Sequence, residues 1–189
     1  PRMLITFLGL HDVTRFMNEK GATVAGMRLA YTFLLTSRGI PMIYYGDEIA
    51  MPGGGDPDNR RDFPGGWKED PRNAFTAGGR TADQNSVFEH VKKLIALRKS
   101  NAALRRGATK SLLVTDQQWA FVRSTAEETV LVILNNAPEP ADVVADAAST
   151  GFANGAVLHD RLGAIPPATV AGGKIRARIP ARSGVVLTR

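Results

Sequence analysis

The chain has 189 residues, 43% hydrophobic and 22% charged, the balance of an ordinary globular protein with material for one or two cored domains. It has no cysteine, which excludes disulfides and thiolate chemistry, and no apolar run of about 18 residues, which excludes a membrane-spanning helix. The net charge of +6 is scattered, with basic doublets at 60–61, 92–93 and 105–106 and no basic stripe interleaved with aromatics, so nucleic acid is not the expected partner.

Residues 3–16 are the densest stretch of the chain. Residues 4–8 are apolar and β-favouring, and read as a parallel strand buried on both faces. The run ends at Gly9, and His11, Asp12 and Arg15 follow at once. Ionisable groups crowded past the C-terminal end of such a strand stand where α/β barrels carry their chemistry. The same pattern equally suits a structural ion pair between Asp12 and Arg15, with His11 bound to a loop carbonyl. Pro-Arg-Met directly before a strand does not resemble a natural N-terminus or a signal peptide, so a fragment of a longer soluble protein is expected and its localisation is not legible.

Residues 23–38 carry Val24, Met27, Tyr31, Leu34 and Leu35 at helical spacing, with Thr23 as N-cap and Gly39 and Pro41 as stop signals. Residues 42–45 then read as a second buried strand ending at Gly46-Asp47-Glu48. Strand, helix, strand implies a parallel pair with a right-handed crossover. From 51 to about 85 periodicity disappears, and a loop of that length is expected to be functional. Ser86 and Glu89 form a capping-box pattern ahead of Val87, Val91, Leu94 and Ile95, with Arg98 and Lys99 in the last turn.

Past Gly107 the pattern changes. Short strands are expected at 110–114, 119–125, 129–135, 142–145, 174–179 and 185–188, separated by turn residues, and this spacing indicates an antiparallel sandwich. Ile175, Ala177 and Ile179 alternate with Arg176 and Arg178, as in a strand with one wet face. Two β/α units cannot form a stable parallel sheet alone. The fold class is therefore α/β plus all-β: residues 1–106 as the closing part of an eightfold (β/α) barrel and 107–189 as a C-terminal β-sandwich.

Three ordered motifs carry a family resemblance. Phe7-Leu-Gly-Leu-His11-Asp12-Val-Thr-Arg15-Phe16 resembles the fourth conserved region of the α-amylase family (glycoside hydrolase family 13), usually F-x-x-N-H-D-x-x-R-F. Leu10 stands at the usual Asn, a position that varies among neopullulanases. Gly39-Ile-Pro-Met-Ile-Tyr-Tyr-Gly-Asp-Glu48 is similar to the family's eighth barrel strand. Gly54-Gly-Asp56-Pro-Asp58-Asn-Arg60-Arg61, with Asp62-Phe-Pro-Gly-Gly-Trp67, resembles a loop of neopullulanase and cyclomaltodextrinase-type members.

The resemblance implies a retaining glycoside hydrolase acting on α-glucosidic bonds. Such chemistry needs a nucleophilic carboxylate and an acid about 5–5.5 Å apart and stabilisation of an oxocarbenium-like transition state. Asp12 matches the family's transition-state-stabilising carboxylate, and His11 its neighbouring sugar donor. Asp56 and Arg60 match residues that hold a distal glucose. The nucleophile and acid belong to earlier strands and are not in this chain, so the chain alone is expected to be inactive. Glu48, a tempting acid, matches a structural motif. The implied partners are an α-glucan oligosaccharide and the missing N-terminal barrel portion, or another chain, to complete the barrel. No cofactor is evident.

Other readings of these residues are open. Residues 54–61 also suit a solvated surface loop. Asp56 and Asp58 resemble a Ca²⁺ loop, but Arg61 stands where an EF-hand needs glycine and Trp67 where it needs glutamate. His11-Asp12 suits a metal phosphohydrolase only with further ligands nearby, and the other histidines, His90 and His159, are remote; no metal site is expected. Trp119 and Phe121 alternate on a strand and read as core. A non-catalytic carbohydrate-binding fragment would require aromatics such as Trp119, Phe121 and Phe152 on an open face. A basic interaction domain has only the charge in its favour.

Overall fold

The computed structural model describes residues 4–189, so Met3 of the first motif lies outside the described residues. Strand β1 (Ile5–Thr6) pairs in parallel with β2 (Ile40–Pro41), Ile5 opposite Ile40. The Ile40 amide donates to Leu4 O at 2.9 Å and the Met42 amide to Thr6 O at 2.8 Å. Between the strands lies α1 (Val24–Thr36). Thr23 is extended and its hydroxyl accepts from the Gly26 amide at 3.0 Å, satisfying one of the free donors at the helix start.

The β-α-β unit is as expected, but its strands are not. The second pairs two residues earlier than the 42–45 run. Strand β1 is open to solvent rather than buried on both faces: Leu4 is 58% and Ile5 59% exposed. A parallel strand is buried by neighbours on both edges and helices on both faces. Among the described residues β1 has only β2 beside it.

Residues 51–85 contain single 3₁₀ turns at Asp58–Arg60 and Ala77–Gly79, following one at Asp47–Ile49. Helix α2 (Ala82–Ser100) starts before the expected Ser86 cap. The capping box is Thr81–Gln84: the Thr81 hydroxyl accepts from the Gln84 amide and the Gln84 side chain accepts from the Thr81 amide. Both tetrads have the right composition. Once a helix exists, each added residue contributes a hydrogen bond, so the upstream box captures the start and Ser86 falls inside. A short α3 (Ala102–Arg106) follows.

Val87, Val91 and Leu94 of α2 pack on Met27, Tyr31, Leu34 and Leu35 of α1. Arg98, expected to answer its own helix dipole, serves the other helix. Its guanidinium donates to Leu35 O, Ser37 O and Gly39 O at 2.7–3.0 Å, satisfying carbonyls at the C-terminal end of α1. Buried Arg123 adds a 2.6 Å bond to Thr36 O.

The remaining strands are β3 (Ala108–Val114), β4 (Gln118–Ser124), β5 (Thr129–Asn135), β6 (Ala141–Asp146), β7 (Val157–Asp160), β8 (Ala168–Ala171), β9 (Lys174–Ile179) and β10 (Ser183–Thr188). They form one antiparallel order, β3-β4-β5-β10-β7-β8-β9-β6, and the terminal strands β3 and β6 approach each other. The expected sandwich is thus a single curled, nearly closed sheet whose flanks face a common core. Ala120, Val122, Leu131, Ile133, Val185 and Leu187 meet Val143, Leu158, Ile175 and Ile179 inside it. Strands β7 and β8 were not expected; they have four residues each, and β8 buries only Ala168 and Val170, a weak apolar signal.

The outer face of the central strands is also covered. Phe121, Val130, Val132, Leu134 and Val186 join the cluster formed by α1, α2 and α3. Two-sided burial explains why 130–134 is a continuous apolar run rather than an alternating one. Each side chain fully buried there contributes roughly 1.5–3 kcal/mol.

Candidate functional site

Past the C-terminal end of β1 the chain turns, with the Val13 amide donating to Leu10 O at 3.3 Å. His11 and Asp12 project from this turn, both exposed, with His11 Nε2 3.2 Å from Asp12 Oδ1. The turn Asp58–Arg60 faces them. Arg60 Nη2 lies 3.8 Å from Asp12 Oδ1, while Arg60 Nε lies 3.2 Å from Asp56 Oδ1 and donates to His11 O at 3.1 Å. His11, Asp12, Asp56 and Arg60, picked from two motifs over forty residues apart, therefore meet in one cluster. It offers carboxylate acceptors and guanidinium and imidazole groups on an open surface, a set suited to the hydroxyls of a sugar.

Beneath the cluster lies a dry support. Arg15 is fully buried and does not pair with Asp12. Its Nη1 donates to Asp47 Oδ1 at 2.9 Å and to Tyr45 O at 2.7 Å, and its Nε donates to Asn59 O at 2.9 Å. The Arg15 amide donates to Gly53 O at 3.0 Å. Its guanidinium carbon stands 4.5 Å from the Tyr44 ring centroid and 4.9 Å from that of Tyr45, within cation–π range. The ion-pair reading of Asp12 with Arg15 is thus corrected: Arg15 points inward to Asp47, where burial makes a charged partner necessary. Asn59, also buried, donates from Nδ2 to His11 O at 2.8 Å and Val13 O at 3.0 Å.

Burial pushes the Asp47 carboxyl up to about 6, against the pull of Arg15. Gly9, three residues past the end of β1, leaves room for it: a Cβ there would overlap Asp47 Oδ2. Glu48 follows Asp47 in the same turn, with Oε2 buried, and both carboxylates add to the burial that pushes the Tyr31 hydroxyl up. Asp58 takes the Gly54 amide at 2.6 Å and Arg61 at 2.5 Å, and these, the amide first, hold its carboxyl below the usual range. The loop at 54–61 is therefore tied down by its own side chains.

Among the described residues no three His, Asp or Glu side chains converge as a metal site. His90 is partly buried between α1 and α2, against Thr32 Oγ1 at 2.9 Å and Arg28 O at 3.0 Å. His159 is exposed on β7. The sheet aromatics offer no open platform. Phe121 is buried, Phe152 is nearly so, and Trp119 stacks between Phe33 and Phe121 with centroids 5.8 and 4.3 Å away. Sequence reasoning missed Asn59 and the Arg15–Asp47 pairing. A single buried Asn in a polar loop has no periodicity to betray it; its adjacency to Arg60 was the only available signal.

The comparisons agree on one family. The family model described as alpha amylase, catalytic domain, matches residues 2–107. A cyclomaltodextrinase of Geobacillus thermopakistaniensis (strain MAS1) is 38% identical over 138 residues, 72% of this chain and 21% of the relative. Neopullulanase 2 of Thermoactinomyces vulgaris is 39% identical over 150 residues, 78% of this chain and 23% of the relative. The chain thus spans about a fifth of the length of the curated relatives it matches. The crystal structure of α-amylase from Geobacillus thermoleovorans complexed with acarbose superposes with a TM-score of 0.80 at 28% identity, covering 98% of this chain and 38% of that one. An Anoxybacillus α-amylase gives the same figures. Among the described residues no helix is long and apolar enough to cross a membrane.

Proposed function

The chain belongs to the α-amylase family, and on that premise we propose that it is part of a retaining α-glucan hydrolase, contributing the carboxylate that stabilises the transition state. The relatives named as cyclomaltodextrinase and neopullulanase support α-glucosidic bonds in starch-, maltooligosaccharide- or cyclodextrin-type substrates. Residues 1–106 are read as the closing part of the catalytic barrel and 107–189 as the domain that follows it.

The observation that carries the proposal is the convergence of His11, Asp12, Asp56 and Arg60 past one strand end. Asp12 and His11 bind the hydroxyls beside the reacting carbon, and the Asp12 charge answers positive charge as it develops there. Arg60 and Asp56 hold the next glucose away from that carbon. Arg60, in contact with both acids, sets the spacing between the two subsites. The nucleophile and the acid come from outside this chain, and Glu48 takes neither role: it belongs to the turn that buries Asp47.

A fluorinated glycosyl fluoride, which forms the covalent glycosyl-enzyme but turns it over slowly, tests the assignment. In the intact enzyme, peptide mapping should find the sugar on a carboxylate outside residues 1–189. A label on Asp12 or Glu48, or turnover of starch or cyclodextrin by the pure 189-residue chain, would contradict it.

A further inference from the structure

Asp12 is held in place by a residue that touches no sugar in this reading. Its two flanking carbonyls, His11 O and Val13 O, both accept from the single Nδ2 of Asn59, at 2.8 and 3.0 Å. Both partners are acceptors only, so the NH₂ group, and not the amide oxygen, must face them. Asn59 is 1% exposed, so neither bond can be replaced by bulk water. The next residue is Arg60, which reaches Asp12 and Asp56. Asn59 O in turn accepts from Arg15 Nε, and Arg15 is fixed by Asp47 and Tyr45 O. One amide therefore locks the turn bearing Asp12 to the turn bearing Arg60, and a buried guanidinium locks both to the segment after β2.

Resting on the proposed function, we infer that Asn59 is a positioning residue for Asp12: it fixes the height of the Asp12 carboxylate over the reacting sugar and its distance from Arg60. Asn59 has no contact with substrate, so its effect passes through Asp12. A carboxylate that stabilises developing charge must sit within a fraction of an ångström of its target, and a shift of about 1 Å can cost about a hundredfold in rate. The signature differs from that of a residue serving only the fold. Asn59 should matter while Asp12 carries its charge and matter little once that charge is gone.

The test is a double-mutant cycle in the intact enzyme, with kcat, KM and the melting temperature measured for each variant on one maltooligosaccharide. Asn59→Asp is the isosteric variant that loses both donations, and Asn59→Ala is the second variant. Either should lower kcat/KM about tenfold to a hundredfold, mainly through kcat. Because two buried carbonyls lose their donor, both should also lower the melting temperature, so rates are compared at a temperature where every variant is fully folded. In the Asp12→Asn background the same substitutions should cost less than about threefold, because there is no charge left to misplace. For Asn59→Asp, the deficit relative to wild type should shrink as pH falls, since the protonated carboxyl regains one donor. If Asp12→Asn is crippled but both Asn59 variants keep wild-type rates, the positioning role is overturned and the role of Asp12 stands. Equal losses in both backgrounds, or loss of the folded enzyme in both variants, would mean that Asn59 serves the fold alone. If Asp12→Asn itself keeps wild-type rates, the functional reading falls and this inference with it.

Discussion

Arg15 and Asp47 pair at 2.9 Å with side chains 0% and 1% exposed, three residues along the chain from the open carboxylate of Asp12. Taking two charges out of water is costly, and the pair is tolerated because the guanidinium also meets Tyr45 O and Asn59 O. Removing one partner leaves the other charge stranded. Arg15→Met and Asp47→Asn in the intact enzyme should therefore each destabilise by about 3–5 kcal/mol, read from denaturant melts, because each leaves the other buried group without its partner. Small effects in both would mean that the pair is dispensable.

The pH dependence of that pair has a definite sign. Asp47 sits at about 6 in the fold against 3.8 for a free side chain, chiefly because it is buried. Between those values the folded protein binds more protons than the unfolded one, so its contribution to stability is present below about 4 and lost as pH rises through about 6. Asp47→Asn should remove this slope. Chemical melts at pH 4, 5 and 6 on wild type and variant provide the comparison, and identical slopes would contradict it.

His90 works in the opposite direction. Burial, reinforced by the charges of Arg28 and Lys93, pushes its imidazole down to about 4 from 6.5. Arg28 O accepts only, so the Nε2 facing it carries the hydrogen of the neutral ring. The unfolded chain binds the extra proton between those values, so stability is lost as pH falls from about 6.5 towards 4. His90→Gln should flatten that acid-side loss while Asp47→Asn leaves it in place. A steepened loss in His90→Gln would show that another group dominates the window.

The helices and their chemistry were the legible part of the fold. Thr23 caps α1 as its position before an apolar period requires, and strands 129–135 and 174–179 match to the residue because their runs are long and bounded by turns. The errors have local causes. Thr81 and Ser86 both open capping-box tetrads, and composition does not choose between them. Residues 4–8 read as buried because apolar content reports what a strand is made to contact, whereas exposure depends on which neighbours are beside it. At the site, His11, Asp12, Asp56 and Arg60 were singled out through the motifs that carry the family resemblance, and the fold brings them together. Asn59 was not singled out, since its role depends on two carbonyls more than forty residues away.

The loop makes its own prediction. If Asp56 and Arg60 hold a distal glucose, the double substitution Asp56→Ala with Arg60→Ala should lower kcat/KM on maltooligosaccharides long enough to reach them and leave the shortest cleavable substrate nearly untouched, because binding energy from remote units drives the reacting centre only when those units are present. The cost in stability should be small, as both side chains are exposed and their ion pair at 3.2 Å is a surface one. Equal losses on long and short substrates would assign the pair to the shape of the whole site, and no loss on either would make 54–61 a plain surface loop.

The most direct measurement is kcat/KM of Asp12→Asn in the intact enzyme, beside its melting curve. Asp12 is exposed and accepts no buried hydrogen bond, so the substitution keeps shape and fold and removes only charge. A fall of about a hundredfold to a thousandfold or more is expected at an unchanged melting temperature, the scale on which losing one preorganised electrostatic contact to a transition state is felt. Near wild-type turnover by a correctly folded Asp12→Asn enzyme would contradict it.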